Sequence, residues 1–386
     1  MYQPRGHLPS AAKHVSYLSM PSAPQRILIY RLGSLGDTVI ALPALHLAAR
    51  AFPDADRRLL TNVPVHQKAP AAAEVLAHTN LVHGYLRYPV ATRNPFTLLA
   101  LWWSIRRFRP DALIYLASAR GIADAQRDAR FFRLCGIRRI LGLPLTPDAQ
   151  RRTLPDGSIE PEAHRLARNL AADLDPTNPQ AANLDDPNNW NLRLTPEEQA
   201  HAAALHQQLG NRPLIALSVG TKRQSKDWGR DNWRALVAHL ATAYPGHALV
   251  LTGSPDEHDL SEFVAQDFRA AHPSAVLNLC SNLPPRLSAA LYARARIFLG
   301  HDSGPMHLAA AVQTPCVIVF SARTRPRVWF PIGAQHRILY REVDCMGCGL
   351  ETCIVQKRKC LTSISVAETL AAIASVLGAI PSQQHS

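Results

Sequence analysis

Short runs rich in Leu, Ile and Val recur along this chain, each separated from the next by a longer amphipathic stretch, and that alternation leaves few architectures open. Arg26–Arg31, Arg57–Thr61, Leu81–Tyr88, Asp111–Leu116 and Arg138–Gly142 read as strands, with helical segments between most of them. After a gap the pattern resumes at Pro213–Val219, His247–Thr252, Ala275–Leu279, Arg296–Leu299 and Pro315–Phe320. Strands that alternate with helices build an open, mostly parallel α/β sheet, since a parallel neighbour needs a crossover long enough to hold a helix. Two such halves are expected, and 386 residues suit two domains of roughly 150 residues or more each.

The gap at residues 144–193 is rich in Pro, Asn and Asp, holds one helical stretch near Glu162–Leu174, and reads as a linker belonging to the first half. Thr195-Pro196-Glu197-Glu198 then opens a new helix: Thr195 can cap it, Pro196 suits its first turn, and Glu198 can complete a capping box. Domains are therefore expected over 26–193 and 194–386, after a loose tail at 1–25. A last helix near Ser365–Leu377 is free to pack on either half.

Composition narrows the function. With 47% hydrophobic and 18% charged residues the chain is neither disordered nor a coiled coil overall. No run reaches the roughly 18 apolar residues of a spanning helix, the densest stretch, Phe96–Ile105, being closed by Arg106 and Arg107. The first 25 residues lack the apolar core of a secretory signal. Seven cysteines, an odd number with four crowded into 345–360, fit a reducing cytoplasm better than a disulfide scaffold.

A formal charge of +13 implies anionic company: a nucleotide diphosphate, a phosphorylated glycolipid, an anionic membrane face or a nucleic acid. Nucleic acid is disfavoured, because aromatics are only 6% and no recognition helix or stacking sheet interleaves them with cations. Leu98, Leu101, Trp102, Ile105 and Phe108 share helical spacing, with Trp103, Arg106, Arg107 and Arg109 around them. Packing onto a sheet is the expectation for that stripe, with the cations adding weak attraction to anionic lipid at the inner membrane face.

Ligands of open α/β sheets bind outside the carboxyl ends of the strands, where helix N-termini point. Leu32-Gly33-Ser34-Leu35-Gly36-Asp37 lies at the first such end, a Gly-rich turn with one carboxylate that lacks the third glycine of the dinucleotide fingerprint. Asp37 there can serve as a base or cap a helix starting at Thr38. Gly220-Thr221-Lys222-Arg223-Gln224-Ser225-Lys226 follows another strand, its cations and backbone donors suited to a diphosphate or to plain solvation. Gly253-Ser254-Pro255-Asp256-Glu257-His258 offers a carboxylate to ribose hydroxyls or to a helix dipole. Finally, His301-Asp302-Ser303-Gly304-Pro305-Met306-His307 runs from a strand into a small-residue helix whose N-terminus outlines a phosphate cradle.

Taken in order, these loops resemble glycosyltransferase family 9, the lipopolysaccharide heptosyltransferases. The resemblance rests on R-L-G-S-L-G-D-T-V-I-A-L-P-A-L at 31–45, K-D-W at 226–228 with Trp233, G-S-P-D-E-H at 253–258 and H-D-S-G-P-M-H-L-A-A at 301–310. The Cys345–Ile364 tract is similar to the variable cysteine segment of many members. The resemblance implies a GT-B fold, two Rossmann-like domains facing a cleft, with the acceptor on the first and the nucleotide-sugar on the second.

It implies an inverting transfer of a sugar, heptose from ADP-heptose, to a phosphorylated glycolipid or core oligosaccharide. Asp37 matches the general base, with Gly33, Ser34 and Gly36 on the acceptor side. Thr221, Lys222, Lys226, Glu257, Asp302, Ser303, Gly304 and His307 fall on the donor side. No cofactor is implied. The competing reading is a noncatalytic module that binds a nucleotide-sugar or anionic glycan on the same fold.

No catalytic metal is expected. The one D-x-D, Asp54-Ala55-Asp56, precedes a strand at the amino edge of its sheet, away from the ligand edge. Cys345, Cys348, Cys353 and Cys360 are spaced C-x2-C-x4-C-x6-C, which departs from paired zinc ligands and leaves a structural metal or reduced thiols open.

Overall fold

The structure, a computed structural model, describes residues 24–63, 71–89, 94–175, 183–281, 283–354 and 356–378. Nearly all of the tail expected at 1–25 lies outside them. The first half runs β1 (Arg26–Tyr30), α1 (Leu35–Ile40), α2 (Leu42–Ala51), β2 (Asp56–Asn62), α3 (Ala71–Leu76), β3 (Gly84–Tyr88), α4 (Pro95–Phe108), β4 (Ala112–Tyr115), α5 (Ile122–Leu134) and β5 (Arg139–Leu141). These strands form one sheet in the order β3-β2-β1-β4-β5, parallel throughout. The central strands are buried on both faces, which is why they read as continuous apolar runs.

One face is covered by α4 and α5, whose Leu101, Ile105, Phe108 and Phe132 pack with Leu28, Tyr30, Leu113 and Tyr115. The other face carries α2 and, after α6 (Pro147–Gln150), α7 (Glu162–Leu174), in a core that continues into the second half.

That second half runs α8 (Pro196–Gln208), β6 (Leu214–Ser218), α9 (Arg230–Ala243), β7 (Ala248–Gly253), α10 (His258–Ala271), β8 (Val276–Cys280), α11 (Pro285–Tyr292), β9 (Ala295–His301), α12 (Gly304–Ala311), β10 (Cys316–Phe320), β11 (Arg337–Tyr340), α13 (Lys359–Thr362) and α14 (Val366–Leu377). Its sheet order is β11-β10-β9-β6-β7-β8, again parallel. The last helix, α14, packs on α9, β9 and β10, and so on the second half.

Three local expectations need correcting. The first helix starts at Leu35, not Thr38, and breaks at Ala41 into α1 and α2. Pro43 accounts for the break, having no N–H to continue the ladder and a ring that crowds the carbonyl four residues back. Strand β3 starts at Gly84 rather than Leu81. The sequence reading holds no edge strand β11, whose Ile338, Leu339 and Tyr340 are apolar but half-buried and which follows β10 with no helix between them, so the strand–helix alternation does not mark it.

The halves are tied where the chain crosses between them. Residues 183–191 still belong to the first half: the His46 Nε2–H donates to the Asn191 carbonyl at 2.9 Å, and Arg50 to Asn189 Oδ1 at 2.9 Å. The capping box at Thr195 and Glu198 forms, with Thr195 N donating to Glu198 Oε2 at 2.8 Å and Glu198 N to Thr195 Oγ1 at 3.2 Å. Arg286, buried on α11, reaches across and donates to Glu198 Oε1 and Oε2 at 2.6 and 2.7 Å. It also donates to the carbonyls of Val75 (3.1 Å), Leu192 (2.8 Å) and Arg193 (3.0 Å).

One guanidinium thus joins α3, the crossing segment and α8. Glu198, which its own burial would push toward the acid form, is held below the usual carboxylate range by Arg286 and the Thr195 N–H. Arg286→Met is expected to cost about 3 kcal/mol, because it strands the half-buried Glu198 carboxylate and three carbonyls. Denaturant unfolding checks this, and a loss under about 1 kcal/mol would show the cluster to be a surface-like pair.

Candidate active site between the two sheets

In the first half β1 is followed by the buried Arg31, and the chain turns through Gly33 at φ +137 into α1. Ser34, not Asp37, is the N-cap. Asp37 sits in the third helical position, and its Oδ2 accepts from Ser34 N at 2.7 Å and Ser34 Oγ at 2.9 Å. Its Oδ1 faces Arg31 Nη2 at 3.4 Å, while Arg31 Nε donates to the Asp37 carbonyl at 2.9 Å. The carboxylate is therefore held on three sides and remains partly open to solvent.

Arg31 is itself braced from behind. It donates to the Leu116 carbonyl at 2.7 Å and lies 3.9 Å from Glu162, which is gripped by Arg165 through two bonds of 2.8 and 2.7 Å. All three of these charged side chains are buried. None was singled out from the sequence, where Arg31 and Glu162 stand 131 positions apart.

The residues expected on the donor side come from three strand ends of the second sheet. After β9, Asp302 is buried and its Oδ2 lies 2.7 Å from Lys226 Nζ, which also donates to the Asp302 carbonyl at 2.8 Å. Lys226 is placed by the segment behind it: His301 Nε2 accepts from Trp228 N and from Trp233 Nε1, both at 3.0 Å. A nitrogen that accepts twice leaves the ring proton on Nδ1, and burial pushes this histidine down to about 4, so it stays neutral.

After β7, Glu257 Oε2 accepts from Ser254 N at 2.9 Å, and its carboxyl lies over Gly220 at the end of β6. Thr221 is half-buried beside Lys226's loop, and Lys222 is exposed. Ser303 caps α12, and its Oγ is buried with no hydrogen-bond partner among the described residues, an unspent donor at a helix N-terminus.

The two sets meet where α1 abuts α12. A Cβ on Gly36 would stand 2.7 Å from His307 Cδ2, and one on Gly304 would stand 2.8 Å from Leu35 Cδ2, so two glycines allow this approach. His307 is buried, and burial pushes it down to about 4 despite the opposing pull of Asp302 and Asp37; Lys226 pushes the same way as burial. Asp37, His307, Asp302 and Lys226 therefore belong to one electrostatic neighbourhood.

Sequence reasoning missed a further cation. Arg323, just past β10, is lowered first by burial and then by Arg223, with Asp302 opposing, which places it beside the same pocket. Its position at a strand's carboxyl end was the available signal, but no glycine motif marks it. Arg323 also donates to the carbonyls of Leu350 (2.9 Å) and Gly349 (2.5 Å) in the cysteine-rich loop.

That loop is sewn to the Lys226 segment. Ser225 N donates to the Glu351 carbonyl at 3.1 Å and Ser225 Oγ to the Leu350 carbonyl at 2.7 Å, while Cys353 N donates to Gln224 Oε1 at 2.9 Å. Arg358 Nη1 donates to the Asp227 carbonyl at 2.6 Å and to Asp227 Oδ2 at 3.0 Å. Cys345, Cys348, Cys353 and Cys360 are free thiols, and among the described residues no group of three or more His, Cys, Asp or Glu is arranged to hold a metal ion.

Residues 159–359 match glycosyltransferase family 9 (heptosyltransferase). The lipopolysaccharide heptosyltransferase 1 of Pseudomonas aeruginosa is 26% identical over 357 residues, 86% of this chain and 88% of that protein. The lipooligosaccharide heptosyltransferase 2 of Haemophilus influenzae is 28% identical over 157 residues, a match spanning 38% of this chain and only 43% of that relative's length. The solved structure of the Escherichia coli ADP-heptose lps heptosyltransferase II superposes with a TM-score of 0.64 at 17% identity, over 91% of this chain and 98% of that one. The shared fold is the GT-B arrangement of two Rossmann-like domains. With half of its length matched to the family and its two parallel sheets so arranged, the chain belongs to glycosyltransferase family 9.

Proposed function

We propose that this glycosyltransferase moves heptose from ADP-heptose onto a phosphorylated acceptor of the lipopolysaccharide core, with inversion and without a metal ion, on the cytoplasmic side of the membrane. The observation that supports this most is the convergence of Asp37 from one sheet with Lys226 and Asp302 from the other around His307. It sits at the carboxyl ends of β1, β6 and β9, where ligands of such sheets bind.

In this reading the diphosphate lies against Lys226, Arg323 and the N-terminus of α12, where Ser303 Oγ has a donor to give. Glu257 accepts from two ribose hydroxyls, and Thr221 and Lys222 line the same side. The acceptor enters over Gly33, Ser34 and Gly36. Its hydroxyl oxygen bonds to the anomeric carbon as the bond from that carbon to the diphosphate oxygen breaks; the hydroxyl proton passes to Asp37, and ADP departs with the electron pair. Lys226 and Arg323 neutralise charge that grows on the leaving oxygen, so their contribution is larger in the transition state than in the ground state. One displacement inverts the anomeric centre.

A donor screen tests this: ADP-, GDP- and UDP-sugars offered with a delipidated core acceptor, nucleotide release followed with and without chelator. Turnover with ADP-heptose that survives chelation is the expected result. Turnover confined to another nucleotide, or abolished by chelator, would overturn the donor or the metal-free chemistry respectively.

A further inference from the structure

Helix α4 carries two apolar stripes on opposite sides. Leu101, Ile105 and Phe108 are buried on the sheet, as expected for part of the sequence-level stripe, whereas Leu98 from that stripe is exposed. On the far side Phe96, Leu99 and Trp103, spaced i, i+3 and i+7, are 79%, 59% and 63% exposed. Helix α5 adds Leu134, 74% exposed and brought alongside because Trp102 Nε1 donates to its carbonyl at 3.1 Å. Of the eight large hydrophobic side chains exposed among the described residues, four lie on this one face, so it is a patch and not scatter.

Its charge has one sign. Residues 94–139 contain nine arginines and three aspartates. Each aspartate is engaged: Asp111 accepts from the backbone of Gln25 and Arg26, Asp124 pairs with Arg127, and Asp128 pairs with Arg120. Arg106, Arg107, Arg130 and Arg133 are exposed around the apolar stripe. Two copies meeting through this face would set cation against cation. A plane that is anionic at its surface and apolar beneath satisfies both halves of the pattern.

We propose that the α4–α5 face docks the protein on an anionic lipid bilayer, with Phe96, Leu99, Trp103 and Leu134 at headgroup depth and the arginines on lipid phosphates. The placement suits a lipid-borne acceptor. Helix α4 follows β3, whose last residue Tyr88 pairs with Asn62, and Asn62 Oδ1 accepts from Gly33 N at 2.7 Å. The Phe96 end of the patch therefore lies along the sheet edge that carries the Gly33 turn.

Flotation of the full chain with phosphatidylcholine vesicles, and with vesicles containing about a third phosphatidylglycerol, tests the proposal. Binding only to the anionic vesicles is expected, weakening as salt rises from about 0.1 M to about 0.5 M. The combined Phe96→Ser, Leu99→Ser, Trp103→Ser variant is expected to lose about tenfold or more in partitioning. Arg106→Glu with Arg107→Glu is expected to do the same, both keeping the parent's melting temperature and its turnover on a delipidated acceptor.

Equal partitioning of parent and variants, or equal binding to neutral vesicles, would overturn it. So would concentration-dependent self-association that the serine variant abolishes while no vesicle binds, which would assign the face to a second copy. Flotation uses neither donor nor acceptor, so its outcome is separate from that of the transfer reading.

Discussion

Lys226→Met is expected to lower kcat/KM for the nucleotide-sugar by about 10²–10³, the loss typical of removing one preorganised donor from a developing anion, or about 3–4 kcal/mol of transition-state stabilisation. Two mechanisms contribute and can be separated. Lys226 stands 2.7 Å from the buried Asp302 carboxylate, so its removal also leaves that charge without its cation. The double variant Lys226→Met, Asp302→Asn removes both charges and relieves the second effect alone. Should steady-state kinetics find the double variant restored to within tenfold of the parent, Lys226 serves only to neutralise Asp302 and not the diphosphate. A double variant as impaired as the single one supports direct action on the leaving group.

Asp37→Asn is expected to cost about 10²–10⁴ in kcat, the range for loss of a positioned proton acceptor, with donor KM little changed. The amide is close in shape to the carboxylate, and its oxygen can still accept from Ser34 N and Ser34 Oγ, which hold the native side chain at 2.7 and 2.9 Å. The fold penalty should therefore stay near the roughly 1 kcal/mol of a weakened helix cap. Single-turnover measurement with bound donor isolates the chemical step. A rate within tenfold of the parent, at unchanged stability, would remove Asp37 from the proton path and leave it a capping residue.

The parallel sheets were legible because their central strands are buried on both faces and must be apolar from end to end, as in Leu214–Ser218 and Cys316–Phe320. The turns at their carboxyl ends were legible because glycine and short polar residues cluster there. What escaped was set by neighbours far away in sequence. Arg286 reads as any surface arginine until Val75, 211 positions earlier, is brought beside it.

Edge strand β11 escaped because it follows β10 with no helix between them, so the alternation that marks the other strands is missing there. Reading Asp37 as a cap for Thr38 misjudged the helix start, since a Ser-x-x-Asp box places the acid one turn inside, and the residue that fixes its carboxylate, Arg31, lies outside the glycine turn altogether.

The seam between residues 224–227 and 350–358 binds two stretches of chain more than a hundred positions apart into a single unit. Such stretches must drift together. Grafting the 345–360 segment of another member onto this chain without its matching 221–228 loop would misplace Lys226, although no residue that meets the nucleotide in the proposed reading had been altered; exchanging both as a pair would keep it in register.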